Sequence, residues 1–361
     1  HGKKMSKSLG NSPDALELFD KYGVDATRTS ILMMAPQGLD IHFKEDSLEQ
    51  GRNFMNKLWN CSRFLLMNIE QDFKGDISNI DISQLDETDK WILSKLNKII
   101  LEIENSFKDY KINEVIKKIY NFVWRDYCDW YIEFSKSRFY GEKNKDRDIA
   151  KTIAIYVLTN ILKLLHPFAP YITEEIWAFF CHNDSLLINS SWPKPKNDYN
   201  FKVPEKNIEF LMLCISSIRN IKTNLGISPK QKISICCRGE KYKTDILKIN
   251  QNHLTQLVNV ENIESGEEIL KPEQSATTVI QNIEIFLPLK GLININKELE
   301  RLDTKINDIK ARMNNVKRKL DNSSFIERAP THIVDHEKKK YNSYLKDYSK
   351  LLDNYNSISS D

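Results

Sequence analysis

Eight apolar residues near the end of the chain leave few folds open. Ile295, Leu299, Leu302, Ile306, Ile309, Met313, Val316 and Leu320 alternate at spacings of four and three without a break. Such a seam runs down one side of an α-helix and needs a partner helix to cover it. The partner follows at once, because Val334, Tyr341, Tyr344, Tyr348, Leu351 and Tyr355 make a second seam. Between the two, Ser324 and Glu327 have capping-box spacing, and Pro330 suits the first position of the returning helix. Two seams joined by one turn predict an antiparallel coiled-coil hairpin. Its first helix would reach roughly 45 Å at about 1.5 Å per residue.

The remainder also reads as mostly helical. Pro13 to Lys21 predicts a helix ended by Gly23, and Asp25 is expected to cap the next one, to about Met34. Ala35-Pro36-Gln37-Gly38 then breaks the chain. From about Ser47 to Trp177 apolar residues recur at helical spacing: Phe54, Leu58, Cys61 and Leu65, then Ile92, Leu96, Ile99 and Ile103. Tyr120, Trp124, Tyr127, Tyr131 and Phe134 form an aromatic stripe. Another helix runs from about Asp148 to Leu165 and stops at His166-Pro167-Phe168-Ala169-Pro170. A further helix follows Pro170, with Glu174 and Glu175 expected in its first turn. Long helices joined by short connections make a bundle. After the break at Trp192-Pro193-Lys194-Pro195, one more helix is expected from about Glu205 to Leu225. Between Gly226 and Gly291 the pattern changes. Lys232 to Cys236 and Ile283 to Leu287 alternate like strands around a helix-like stretch from Tyr242 to Leu257, which suggests a small α/β domain.

Charge and cysteine usage bound the partners. The 53 basic and 50 acidic residues leave a net charge of +3, which neither demands nor excludes nucleic acid; only local clusters speak to that. Cys61, Cys128, Cys181, Cys214, Cys236 and Cys237 contain no CxxC pair, so reduced thiols in a cytoplasmic protein are expected, and no zinc knuckle. His332 and His336 stand at i,i+4, as on a surface helix. No apolar run approaches the ~20 residues of a membrane span, and no signal peptide is visible. The sequence opens at His1 without an initiator Met, so a piece of a longer polypeptide is expected.

The chemistry is concentrated at the start. Lys4-Met5-Ser6-Lys7-Ser8 lies between Gly2 and Gly10, and Lys3, Lys4 and Lys7 crowd one flexible loop. Lysines so placed can close over a polyphosphate, with serine hydroxyls and backbone amides as further donors. A lone basic pentamer is more often a solvated tail; its context decides otherwise. The run from Lys4 to Asn11, followed by Asp20-Lys21-Tyr22-Gly23-Val24-Asp25-Ala26 and Arg28, resembles the second signature of the class I aminoacyl-tRNA synthetases. Within that class, Gly38-Leu39-Asp40-Ile41-His42-Phe43 is similar to a motif of the valine enzymes, with Leu39 where they usually have Gln. Gly51 to Phe64, Phe122 to Tyr131 and Leu287-Pro288-Leu289-Lys290-Gly291-Leu292 ahead of the coiled coil resemble the same enzymes. The resemblance covers nearly the whole chain and is weakest between about 226 and 280.

The resemblance implies a mainly α chain in four parts. Residues 1–46 would end a Rossmann-type catalytic domain and carry the loop. Residues 47–225 would be an anticodon-binding bundle, 226–290 a small α/β junction domain, and 291–361 a coiled-coil tRNA-binding arm. It implies ATP as substrate, with Mg2+, bound by Lys4, Met5, Ser6, Lys7 and Ser8. Lys7 would contact the phosphates in the transition state, with Lys4 in support. It implies valine and tRNA(Val) as partners of a monomer, no membrane, and no metal site in these residues. On the arm, Lys317-Arg318-Lys319 is the densest basic cluster and the expected contact to tRNA phosphates. A charged helix face is usually only solvated, and the aromatic stripe is expected to be core rather than a base-stacking platform. His-Ile-Gly-His, the nucleotide-binding sheet, the valine pocket and the editing domain are absent, so this chain alone is expected to be inactive but tRNA-binding. The alternatives are an isoleucine or leucine relative, a non-catalytic tRNA-binding module, or a coiled-coil scaffold of the same ancestry.

Overall fold

The structure is a computed structural model. It describes residues 4–70, 73, 75–180, 186–322, 325, 327 and 329–359; the side chains of Lys7, Asn354 and Ser357 are outside that description. The chain divides into two compact units, His1–Glu209 and Phe210–Asp361.

The first unit is helical. Helix α1 (Ala15–Tyr22) starts where the Asp14 carboxylate accepts the Leu16 amide, and stops at Gly23, whose φ of +93° suits glycine. Helix α2 (Val24–Met34) follows directly, with Gly23 rather than Asp25 at its N-cap. Asp25 lies two residues past the cap position, and its carboxylate accepts the Ile172 amide instead, at 2.7 Å. Helix α3 (Leu48–Asn68) packs against α2 at Gly51, where a Cβ would lie 2.3 Å from the Ala26 carbonyl oxygen, so no larger residue fits. Phe54, Leu58, Cys61 and Leu65 are buried as their spacing predicts. Helix α4 (Glu87–Lys108) begins in a capping box between Asp86 and Asp89 and buries Ile92, Leu96, Ile99 and Ile103.

Helix α5 (Ile112–Asn121) runs on through a π-helical stretch, Phe122–Tyr131, into α6 (Ile132–Phe139). The aromatic stripe follows an α-helical spacing, but wider π-turns shift its register. Tyr127, Tyr131 and Phe134 are therefore fully buried, whereas Tyr120 and Trp124 are half-buried. Helix α7 (Lys145–Leu165) is capped by Asn144. Helix α8 spans Pro170–Phe180 and has no acid in its first turn. Glu174 and Glu175 stand one turn further in than expected, and Glu174 accepts the Leu187 amide. Helix α9 (Lys202–Asn224) begins earlier than its apolar pattern suggests and continues into the second unit.

The second unit contains a four-stranded sheet in the order β2-β1-β4-β3. β1 (Ile233–Arg238) pairs in parallel with β2 (Val260–Gly266), the crossover being made by α10 (Lys241–Ile249) and α11 (Gln251–Val258). β3 (Ser275–Ile280) and β4 (Ile283–Pro288) form a hairpin in register Ile280↔Ile283. Its two turn residues, Gln281 and Asn282, both have positive φ, +47° and +68°, as a type I′ turn requires. β1 and β4 were expected as strands; β2 and β3 were not, and the single expected helix is split at Asn250. Helices α12 (Ile295–Leu320) and α13 (Thr331–Ser359) pack as the antiparallel pair that the seams predict. Leu302, Ile306, Val316 and Val334 are buried in the seam. The capping-box residue Ser324 lies outside the described residues.

The root of the hairpin is held by polar contacts. The Arg301 guanidinium pairs with Glu298 and donates to the Asn224 carbonyl at 2.8 Å, which ties α12 to the end of α9. The buried Lys222 ammonium donates to the carbonyls of Pro229, Gln231 and Val258 at 3.0, 2.7 and 3.1 Å. Three acceptors compensate a burial that pushes the Lys222 ammonium below its ordinary range.

Candidate functional sites

The basic loop is a closed turn. Residues Lys7–Leu9 form one turn of 3-10 helix, with the Leu9 amide donating to the Ser6 carbonyl at 3.2 Å. Asn11 folds back across it. Its Nδ2 donates to the Lys4 carbonyl at 3.2 Å, and its Oδ1 accepts the Ser6 amide at 2.9 Å. The Ser6 hydroxyl accepts the Leu9 amide at 3.3 Å and lies 3.1 Å from the Ser8 hydroxyl. Gly10, at φ +61°, lets the chain reverse so that Asn11 faces the loop. Lys4, Met5 and Ser8 are exposed and Ser6 is half-buried. The loop thus presents a cation and hydroxyls to solvent on a pinned backbone. Lys3 and the Lys7 side chain lie outside the described residues.

Helix α2, just beyond the loop, grips the turn between α7 and α8. The Arg28 guanidinium donates to the Phe168 carbonyl at 3.3 Å and the Pro167 carbonyl at 3.5 Å, satisfying carbonyls left free where α7 ends. On the other side of the same turn, Asp25 caps the start of α8 through Ile172. Burial raises the Asp25 carboxyl above its ordinary range, against the backbone donors and Arg28, which lower it. The Thr173 hydroxyl lies 2.7 Å from the Ala169 carbonyl and 2.8 Å from His166 Nδ1. On the other side of the ring, His166 Nε2 lies 3.8 Å from Glu174. Arg28, Lys163, His166, Ser190 and Trp192 line a cleft of about 430 Å³ beside this turn.

Inside the bundle, Asp89 is fully buried and accepts from the Arg138 guanidinium at 2.9 and 3.0 Å and from the Tyr131 hydroxyl at 2.8 Å. Arg138 also pairs with Asp86 and Asp146, so one cation ties the starts of α4 and α7 to α6. Burial, with the Asp86 charge beside it, pushes the Asp89 carboxyl up to about 7. The Lys57 ammonium stands over the Trp124 ring at 3.9 Å and pairs with Asp129. Trp124 was expected in the core; it is instead the half-buried floor under a cation. Cys61, Cys128, Cys214, Cys236 and Cys237 are free and buried; Cys181 lies outside the described residues.

On the arm, Lys317, Arg318 and Lys319 are exposed in the last turn of α12, where cations complement the helix dipole. Arg318 donates to the Asn315 side chain at 3.0 Å, and Lys319 lies 3.7 Å from Glu337 on α13. His332 and His336 are exposed, as on a surface helix. Among the described residues no cluster of His, Cys, Asp and Glu is arranged to hold a metal ion, and no helix is long and apolar enough to cross a membrane.

Comparison with known proteins covers each of these segments. Residues 1–44 match the class I tRNA synthetases for isoleucine, leucine, methionine and valine, and residues 89–237 match the anticodon-binding domain of tRNA ligases. Residues 294–359 match the valyl tRNA synthetase tRNA-binding arm. A valine–tRNA ligase from Fusobacterium nucleatum is 35% identical over 99% of this chain. The chain belongs to the valyl-tRNA synthetase family.

It spans about 41% of that relative and 39% of a valine–tRNA ligase from Enterococcus faecalis, to which it is 35% identical over 95% of its own length. A solved ternary complex of Agrobacterium radiobacter K84 LeuRS with tRNA matches 56% of this chain and 23% of its own, at 23% identity and a TM-score of 0.43. As a valyl-tRNA synthetase sequence the chain carries its basic loop and α2 in the class I segment and Lys317 to Lys319 in the arm. The sequence marked these residues but not the roles of Asn11, Asp25 and Arg28. Asn11 stood at the end of the quoted run, and an Asn after Gly is a turn signal. Arg28 and Phe168 are 140 residues apart, and nothing in either motif announces the other.

Proposed function

We propose that this chain is part of a valine–tRNA ligase, which activates valine with ATP, releases pyrophosphate and transfers the valyl group to the 3′ end of tRNA(Val). What carries the reading is one combination. A lysine- and serine-bearing loop on a pinned backbone shares a chain with sequences matching an anticodon-binding domain and a valyl-type tRNA-binding arm. In the complete protein the valine carboxylate attacks the α-phosphorus of ATP. Lys4, Met5, Ser6, Lys7 and Ser8 hold ATP, and Lys4 and Lys7 offset the charge that develops on the departing pyrophosphate. Mg2+ comes with ATP; the loop from Lys4 to Asn11 contains no carboxylate, so no ligand to the ion is assigned there. We divide the chain functionally at about residues 46, 225 and 290. The bundle reads the anticodon region, Lys317, Arg318 and Lys319 contact tRNA phosphates, and the ligase acts as a cytoplasmic monomer.

The test is Lys7→Ala in the full-length protein. Valine-dependent ATP–pyrophosphate exchange should show kcat falling much more than the valine KM rises, the pattern of an interaction made mainly in the transition state. A rise in the ATP KM alone would make Lys7 a ground-state binder. An unchanged enzyme would remove the loop from catalysis.

A further inference from the structure

We propose that Asn11 is a positioning residue of the Lys4–Ser8 loop, holding its backbone in one closed turn before ATP arrives. The proposal rests on the reading that this loop binds ATP. Asn11, on the limb after the turn, makes two side-chain hydrogen bonds to the limb before it, donating to the Lys4 carbonyl and accepting the Ser6 amide. A carboxamide is suited to this, because it offers a donor and an acceptor in one plane. The exposed Lys4 carries one of those contacts and the exposed Ser8 stands two residues beyond the other, so fixing this backbone fixes the points from which both side chains project. An unpinned glycine-flanked loop would have to be ordered in the transition state, and that entropy would be added to the barrier. The bridge removes part of the cost in advance. A loop pinned in this way moves over ATP as one piece, bending at its flanks rather than refolding within.

The two bonds predict which substitutions matter. Asn11→Ala removes both. Asn11→Asp keeps the acceptor for the Ser6 amide but cannot donate to the Lys4 carbonyl. Asn11 is exposed, so neither change should disturb the fold, and melting temperature checks this. In the full-length protein, Asn11→Ala should lower kcat for ATP–pyrophosphate exchange about tenfold, as the loss of two hydrogen bonds in an exposed loop implies. The valine KM should not move, and Asn11→Asp should fall between the two. Hydrogen–deuterium exchange of the peptide holding Ser6, without nucleotide, should be faster in Asn11→Ala than in the parent. Wild-type kcat in Asn11→Ala beside a crippled Lys7→Ala would overturn the positioning role and leave the loop's role in catalysis standing. Wild-type kcat in both would overturn the two together. A lowered kcat with unchanged exchange at Ser6 would also refute the proposal, because Asn11 would then not act by pinning the turn.

Discussion

Asp89 is a carboxyl group with no access to water, and its behaviour with pH follows from that. It keeps its proton in the folded protein up to about pH 7, whereas an unfolded Asp loses it near 4. Between those values the folded state binds more protons than the unfolded one, so stability contributed by this group falls as pH rises. Arg138 and the Tyr131 hydroxyl limit the loss by meeting the carboxylate once it forms. Arg138→Ala would remove a cation that lowers the Asp89 carboxyl, so the variant would hold that proton to higher pH, at a cost above pH 7 of up to about 1.4 kcal/mol per pH unit. The penalty should be larger at pH 8, where Asp89 is ionised in the parent, than at pH 5, where a proton neutralises it. Urea titrations of parent and variant at the two pH values measure this. An equal loss at both would mean that Arg138 acts through packing or through Asp146 rather than through Asp89. None of this was legible in the sequence. Nothing in the sequence around Asp86 and Asp89 sets either apart, and only the approach of the π-helical stretch and α6, which deliver Tyr131 and Arg138, makes Asp89 an interior charge.

At the scale of elements, what could be read from the sequence depended on whether the information was local. The hairpin of α12 and α13 was legible because each seam is a repeat of one short period, and the heptad rule says what must cover it. Strands β2 and β3 were missed because their burial is irregular: Val260 is buried but Glu261 and Asn262 are exposed, and the Gln281-Asn282 turn lacks the Gly that usually signals a two-residue hairpin. The aromatic stripe was misjudged at Trp124 because α-spacing was assumed where the backbone is π-helical. The arm permits a clean separation of packing from charge. Leu302→Asp puts a charge where Leu302 is 3% exposed, adding a desolvation cost to the ~2–5 kcal/mol typical of losing a buried leucine contact. Circular dichroism should show helix lost. Changing Lys317, Arg318 and Lys319 together to Ala should leave the helix signal intact. It should also flatten the salt dependence of tRNA binding by about 0.7–0.9 log units per lost phosphate contact. An unaltered slope in the triple variant would make the cluster a solvated face.

For the whole molecule, a net charge of +3 on 361 residues gives no strong overall pull on a polyanion. Any affinity for tRNA would have to come from local clusters, and choice among tRNAs from elsewhere. The two tRNA-related matches occupy separate stretches, residues 89–237 and 294–359, so the tasks can be divided. Phosphates are the same in every tRNA, and contacts to them position without specifying. Bases differ, and a reader of the anticodon region has to meet them through stacking or hydrogen-bonding side chains. If the bundle reads and the arm merely grips, the chain should bind tRNA(Val) more tightly than isoleucine or leucine tRNA. The triple Ala variant of the arm should then weaken all three by a similar factor and leave their ratios unchanged. Competition binding at fixed salt measures both quantities, and the salt must be fixed because the arm's contribution varies with it. Equal affinities in the parent chain would place discrimination outside these residues. A ratio that collapses when Lys317, Arg318 and Lys319 are removed would give the arm a part in selection, because a contact that distinguishes tRNAs cannot be one that sees only phosphate.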